Sequence, residues 1–158
     1  MIDASRPGRP AGGAGPGGAA ALQEILTRAL WPPALVFGVH LVLSRGLHAY
    51  DELPSRDLAM HLVGGGAIAC CFARTLDALQ RHGTVAALDP KLRLVLIFAS
   101  TCSAAVFWEF AEFLSDRFLG TSSQLGLEDT LADMLLGIVG GVVFLLGPRG
   151  SRSPASTS

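Results

Sequence analysis

The 158 residues predict an all-α integral membrane bundle of four transmembrane helices with disordered termini, and three observations carry that prediction. Half of the residues are hydrophobic, only 16% are charged, and the mean hydropathy is +0.46. A soluble domain carries about 25% charge. Several apolar runs reach the roughly 20 residues that a helix needs to cross hydrocarbon. One of these runs ends in Phe107-Trp108-Glu109-Phe110-Ala111-Glu112-Phe113-Leu114-Ser115-Asp116. Helical steps of about 100° put its three acids within roughly 60° of one another, with Phe107, Phe110, Phe113 and Leu114 mostly off that stripe. Acids are costly beside hydrocarbon, so a clustered set must face a protein interior.

The elements follow in order. Residues 1–20 are rich in Gly, Ala and Pro, hold no apolar signal-peptide core, and are expected to be a disordered cytoplasmic tail. The transmembrane domain is expected over residues 21–147. It opens with an interfacial lead-in helix at Ala21–Leu30, where Leu22, Ile25, Leu26, Ala29 and Leu30 share a face. Trp31 anchors the interface, and Pro32-Pro33 start a helix. The four crossings are expected at about 33–47, 57–76, 91–114 and 129–146, joined by polar links that hold Pro54, His82, Gly120 and Gly126. Residues 148–158 form a second disordered cytoplasmic tail. Cys70, Cys71 and Cys102 all sit inside apolar runs and are read as small packing residues.

Four crossings place both termini on one side. That side holds Arg6, Arg9, Arg28, Arg74, Arg81, Lys91, Arg93, Arg149 and Arg152, against Arg45, Arg56 and Arg117 opposite. By the positive-inside rule the chain is a multi-pass cell-membrane protein with both termini cytoplasmic. A net charge of −1 leaves no basic patch for nucleic acid. Membrane lipid is the expected partner, and a homo-oligomer stays open.

The acids show the opposite bias. Asp57 and His61 begin the second crossing at i, i+4, Glu109 and Glu112 lie near the end of the third, and Asp129 and Asp133 begin the fourth at i, i+4. Three helices thus offer ionisable groups at one level. Their stripes continue inward with Gly64 and Gly65, with Ala105, Cys102 and Thr101, and with Gly137, Gly140 and Gly141. Small residues permit close helix approach, so these stripes should face one another below a polar cluster that opens outward. Carboxylates this close need bound protons, a cation or a basic partner, and His61, Arg56 and Arg117 are the basic candidates. A divalent metal held by His61, Glu109, Glu112 and Asp133 suits the donor chemistry. Asp57 and Asp129 also suit plain helix caps, and Asp116 suits an exposed rim. His40, alone on the most polar crossing, reads as a packing histidine.

Taken together, Asp57-x3-His61-x3-Gly65, Glu109-x2-Glu112 and Asp129-Thr130-x2-Asp133-Met134-x2-Gly137-x2-Gly140 resemble the VanZ-like membrane proteins. They resemble more closely the uncharacterised bacterial inner-membrane family typified by YjdF. The resemblance covers roughly residues 33–146. This chain has Gly137 where members often have Asn, and Gly126 where near relatives carry an acid. The resemblance implies a cell-envelope setting, and its VanZ-like side a link to glycopeptide tolerance.

Three functions compete. In the first, the His/Glu/Asp cluster binds a cation or an envelope ligand. In the second, a membrane enzyme uses the carboxylates and His61, with or without a divalent metal, on a lipid headgroup or lipid-linked substrate. In the third, ions or protons move through the bundle, although the inner helix halves offer few polar groups beyond His40 and Thr101.

Overall fold

The computed structural model describes residues 16–43 and 55–148, and among them every regular element is helical. Helix α1 spans Pro16–Glu24 and so begins inside the stretch read as tail. A π-helical turn, Ile25–Ala29, leads from it into α2, Trp31–Leu41. The Leu30 N–H reaches the Ile25 carbonyl at 3.2 Å, and the Ala34 N–H reaches Leu30 at 3.1 Å, so backbone bonding carries through the junction. Pro32 and Pro33 occupy the first turn of α2, where a missing N–H costs nothing. The expected lead-in and the described part of the expected first crossing therefore form one nearly continuous helical run.

Helices α3 (Ser55–Arg81), α4 (Pro90–Leu119) and α5 (Leu127–Leu146) follow. The segments Leu58–Arg81, Pro90–Leu119 and Leu127–Leu146 are long and apolar enough to cross a bilayer. Instead of four such helices, the described residues give three candidate spans and an N-terminal helix. The 11 residues of α2 rise only about 16 Å, short of a hydrocarbon core of about 30 Å, and residues 44–47 of the expected first crossing lie outside the described residues. The tails 1–15 and 149–158 also lie outside them.

The second and third helices outrun their sequence-derived ends because polar residues near those ends are accommodated. Arg93 of α4, 2% exposed, donates to Asp77 of α3 at 2.9 Å, which keeps α3 helical beyond Leu76. Asp89 caps α4 by accepting from the Lys91 and Leu92 N–H groups at 2.9 and 3.2 Å. At its far end α4 stops on Gly120, whose φ of 69° is a left-handed position that favours glycine.

Burial is inverted relative to a soluble domain. Phe107 is 71% exposed, Phe118 74% and Leu146 82%, whereas Glu109 is 5% and Asp133 3% exposed. Hydrocarbon outside and polar groups inside is the arrangement of a bundle whose solvent is lipid. The buried apolar core is small: Ala69, Ala73 and Ile97, covered by Phe72, Leu76, Phe144 and Leu145.

The closest helix contact joins α3 and α5. A Cβ added at Gly65 would overlap the Gly137 carbonyl, and one at Gly140 would overlap the Leu62 carbonyl. At Gly141 it would meet Thr101 Cγ2 of α4 at 2.7 Å. The small-residue stripes do face one another, and backbone touches backbone where they meet.

At the end away from the acids, the N-terminal run is clasped to α3. Arg81 donates to Glu24 at 2.6 Å, His82 lies 3.0 Å from its other oxygen, and Arg74 donates to the Arg28 carbonyl at 2.8 Å. The Arg74 guanidinium also lies 5.5 Å from the Trp31 ring centroid. The Arg81 hydrogen bond holds the Glu24 carboxyl below the usual carboxylate range. Burial pushes the other way, and His82 reinforces Arg81.

Candidate functional site

The glycine contact fixes what sits one turn above it. His61 precedes Gly65 by four residues on α3, and Asp133 precedes Gly137 by four on α5. When those glycines meet, the two ionisable side chains are brought opposite each other. The His61 Nε2 lies 3.7 Å from Asp133 Oδ2. From α4, Glu109 Oε1 comes within 3.9 Å of His61 Nδ1. One donor atom from each of His61, Glu109 and Asp133 lies within 4.8 Å of the other two. All three side chains are nine-tenths or more buried.

The electrostatics are demanding. Two carboxylates and one imidazole share a low-dielectric interior, where buried charge is costly unless it is paired. The separations of 3.7 and 3.9 Å exceed hydrogen-bond length. Among the described residues, Asp133 Oδ1 is buried with no hydrogen-bond partner. A nitrogen and two carboxylate oxygens drawn from three helices form a donor set that suits a divalent cation with open coordination positions.

The other acids divide. Glu112 is buried one turn beyond Glu109 on the same stripe, outside the three-residue group. Asp129 is half-buried and accepts from the Leu125 N–H at 3.1 Å, so one of its oxygens secures the entry to α5. Helix α3 includes Asp57 and Arg56, whose side chains lie outside the described residues. Asp116 is no exposed rim. It is half-buried and organises the α4–α5 link, accepting from the Thr121 hydroxyl and from the Ser123 and Gln124 N–H groups at 2.8 and 2.9 Å. Arg117 is exposed and stands outside the cluster.

Two further residues shape the site; sequence reasoning missed the first and read the second as a packing histidine. The first is Gln124, whose amide nitrogen donates to the Glu109 carbonyl at 3.1 Å and to Glu109 Oε2 at 3.3 Å. It folds back over the acid and fixes its orientation. No periodicity marks it, because it lies in the link and its direction is set by Asp116. The second is His40. It lies on the wall of a cavity of about 390 Å³ between α2 and the other three helices, and His61 lines the same cavity. The His40 and Phe37 rings meet Trp108 edge-on, at centroid distances of 5.3 and 5.6 Å. Their positions three apart on α2 were the available signal.

This geometry can be set beside known proteins. An uncharacterised protein of Thermotoga maritima is 26% identical over 103 residues, which is 65% of this chain and 52% of the relative. The chain therefore spans about half the length of that curated relative. No solved structure matches it. A family model described as "Predicted membrane protein (DUF2238)" matches residues 26–149. That match takes in the N-terminal helix from Leu26 and all three candidate spans, and by it the chain belongs to the DUF2238 family of predicted membrane proteins.

Proposed function

We propose that the chain is a four-crossing membrane protein that holds a divalent cation between His61, Glu109 and Asp133 at the outward end of its bundle. The observation that carries this reading is the convergence of three buried donors from three helices within 4.8 Å. The buried Asp133 Oδ1, without a partner among the described residues, is a second sign of an electropositive ligand. A divalent ion matches the combined charge of the two carboxylates. Gln124 supplies the outer hydrogen bond that orients a ligating carboxylate.

The fourth crossing is supported by how the N-terminal run lies along α3. Glu24 meets Arg81 and His82 at one end, while His40 shares a cavity wall with His61 near the other. Residues 24 to 40 rise about 24 Å, most of the way across hydrocarbon of about 30 Å. Adding this crossing puts both termini on the arginine-rich, cytoplasmic side and the cluster on the outer side. Alkaline phosphatase fused after Arg149 should then be inactive, and an active fusion overturns the orientation. A cell-envelope role and the VanZ-like and YjdF-like resemblance are compatible with this placement.

Metal analysis of the purified chain, with titration of Mn²⁺, Zn²⁺ and Mg²⁺, tests the central reading. Binding should saturate at one ion per chain. It should weaken at least about 10-fold in Asp133→Asn and in His61→Ala. If no divalent ion binds the protein or raises its melting temperature, the metal reading is wrong. The second reading is a membrane enzyme acting on a lipid-borne group, and the cavity beside His61 favours it. Turnover of a lipid substrate by the purified chain separates enzyme from binder.

A further inference from the structure

The cavity has a definite construction. Helix α2 contributes Pro33, Ala34, Val36, Phe37 and His40 from one face. The opposite wall is made largely of small residues, among them Gly64, Gly65, Ala105 and Gly137, with Thr101 deeper along α4. Side chains bridge α2 to α4 at one level, where Phe37 and His40 meet Trp108. Away from that level, the small wall leaves the volume open. At about 390 Å³ the space lies within the roughly 300–1,000 Å³ of small-molecule sites. Its lining is almost wholly apolar apart from His40, His61 and Thr101. His61, alone of the three donors, lines this chamber and so joins the cluster to it.

We infer that this chamber holds one acyl chain of a bilayer phospholipid, whose phosphate headgroup meets the cation at His61, Glu109 and Asp133. The inference rests on the metal reading and extends it to a ligand class. Three features of the site select this occupant. The lining residues belong to helices that share the bilayer with hydrocarbon, so an apolar chamber among them is matched by a lipid chain. The three protein donors leave coordination positions open, and phosphate oxygens are the usual complement of a carboxylate-held divalent ion. A phosphate and a carboxylate attract only through a cation between them, so headgroup recognition should follow the metal.

The chain contains two tryptophans, Trp31 and Trp108, and only Trp108 lines the chamber. A Trp31→Phe variant therefore reports from the site. The full chain in this background is reconstituted into phosphatidylcholine vesicles with increasing fractions of dibrominated phosphatidylglycerol, with Mg²⁺ or with chelator. The expected result is Trp108 quenching that saturates at a low mole fraction of brominated lipid in Mg²⁺. The saturating component should be lost with chelator and in Asp133→Asn. It should also be lost in Ala34→Phe and in Gly64→Leu, which fill the chamber from opposite walls and should keep metal affinity within about 3-fold of the parent. Retained metal binding shows that these variants are folded. Quenching that rises in simple proportion to brominated lipid, equally in Ala34→Phe, means contact with surrounding lipid only and overturns the inference while leaving the metal reading intact. Saturable quenching unchanged by chelator overturns headgroup recognition by the cation. Absence of metal binding in the parent protein defeats the metal reading itself.

Discussion

Gly65→Ala is the sharpest single perturbation, because it tests the fold and the candidate site together. The substitution adds one methyl to α3. On an exposed helix it would stabilise by about 0.8–1 kcal/mol. Here the new Cβ overlaps the Gly137 carbonyl and crowds that residue's Cα and carbonyl carbon, so backbone rather than a flexible side chain must yield. Overpacking of this kind costs about 1–3 kcal/mol or more. The upper end of that range applies because no rotamer can relieve the clash, and the net loss is about 2 kcal/mol. For a chain of this length, that lowers the melting temperature by roughly 4–8 °C. Separating α3 from α5 also separates His61 from Asp133, which are 3.7 Å apart with the seam closed. Metal sites need their donors within about 0.2 Å of ideal distances, so metal affinity should fall about 10–100-fold. The control is Gly137→Ala in the same seam, whose Cβ would meet Ala105 Cβ at an ordinary 3.5 Å and which should melt within about 1 kcal/mol of the parent. Thermal melts monitored by size-exclusion chromatography, with metal titration of each variant, read both effects. A Gly65→Ala protein that melts at or above the parent temperature would refute the backbone contact and the reason given for the His61–Asp133 approach.

Three further outcomes follow from the hydrogen bonds around the bundle ends. Replacing Gln124 by Leu removes both donations to Glu109 and should weaken metal binding about 10-fold, while thermal stability changes by about 1 kcal/mol or less. In Asp116→Ala the link loses the acceptor shared by Thr121, Ser123 and Gln124. Stability should drop by about 2 kcal/mol, and protease cleavage within residues 120–126 should accelerate, whereas an unchanged digestion pattern would contradict the anchoring role. The Glu24 clasp gives a pH dependence whose sign is fixed. Its carboxyl lies below the usual 4.5 when folded, so its stabilisation is fully present above that value and is lost as pH falls through the lowered folded value. The melting difference between the parent and Glu24→Gln should therefore be largest near neutral pH and vanish in acid, and a difference that grows in acid would exclude the clasp.

How far the sequence discloses this arrangement depends on the kind of signal. Helix existence and the direction of the acidic stripe were legible from spacing. Phe107, Phe110, Phe113 and Phe118 face outward while Glu109 and Glu112 are buried, as the 3.6-residue period requires. The level shared by His61, Glu109 and Asp133 was legible from their distances to the helix ends. Helix ends were less so, because a polar residue near an apolar run looks like a terminus until its partner is known. Asp77 reads as a boundary until Arg93 is seen against it, and Asp116 reads as a rim until the α4–α5 link folds over it. Gln124 was illegible for the same reason: its role depends on the shape of a link that Asp116 organises. The N-terminal run misled in another way. Pro32-Pro33 signals a helix start, and that is correct, but a π-turn before it and a single bend at Leu30 leave almost no gap between the two helices.

The small residues also acquire a second meaning. A stripe of Gly and Ala reads simply as an invitation to close packing, and α3 and α5 accept it at Gly65 and Gly140. Around a helix, however, a residue without a side chain is small toward every neighbour. Gly64 and Gly65 therefore also form part of the cavity wall facing α2, joined by Ala105 of α4 and Gly137 of α5. On that side, among the described residues, α2 closes the gap only in part. Val36 Cγ1 reaches to 3.8 Å from where a Gly64 Cβ would sit, but Pro33 and Ala34 are short, and the rings of Phe37 and His40 turn to Trp108. Larger side chains on these faces would narrow the space, and a lining without partner atoms forfeits dispersion contacts. The stripe that draws His61 toward Asp133 thus also keeps an apolar chamber open beside them. A packing role explains the first effect and leaves the second as a cost, whereas a bound hydrocarbon chain supplies the missing contacts and accounts for both.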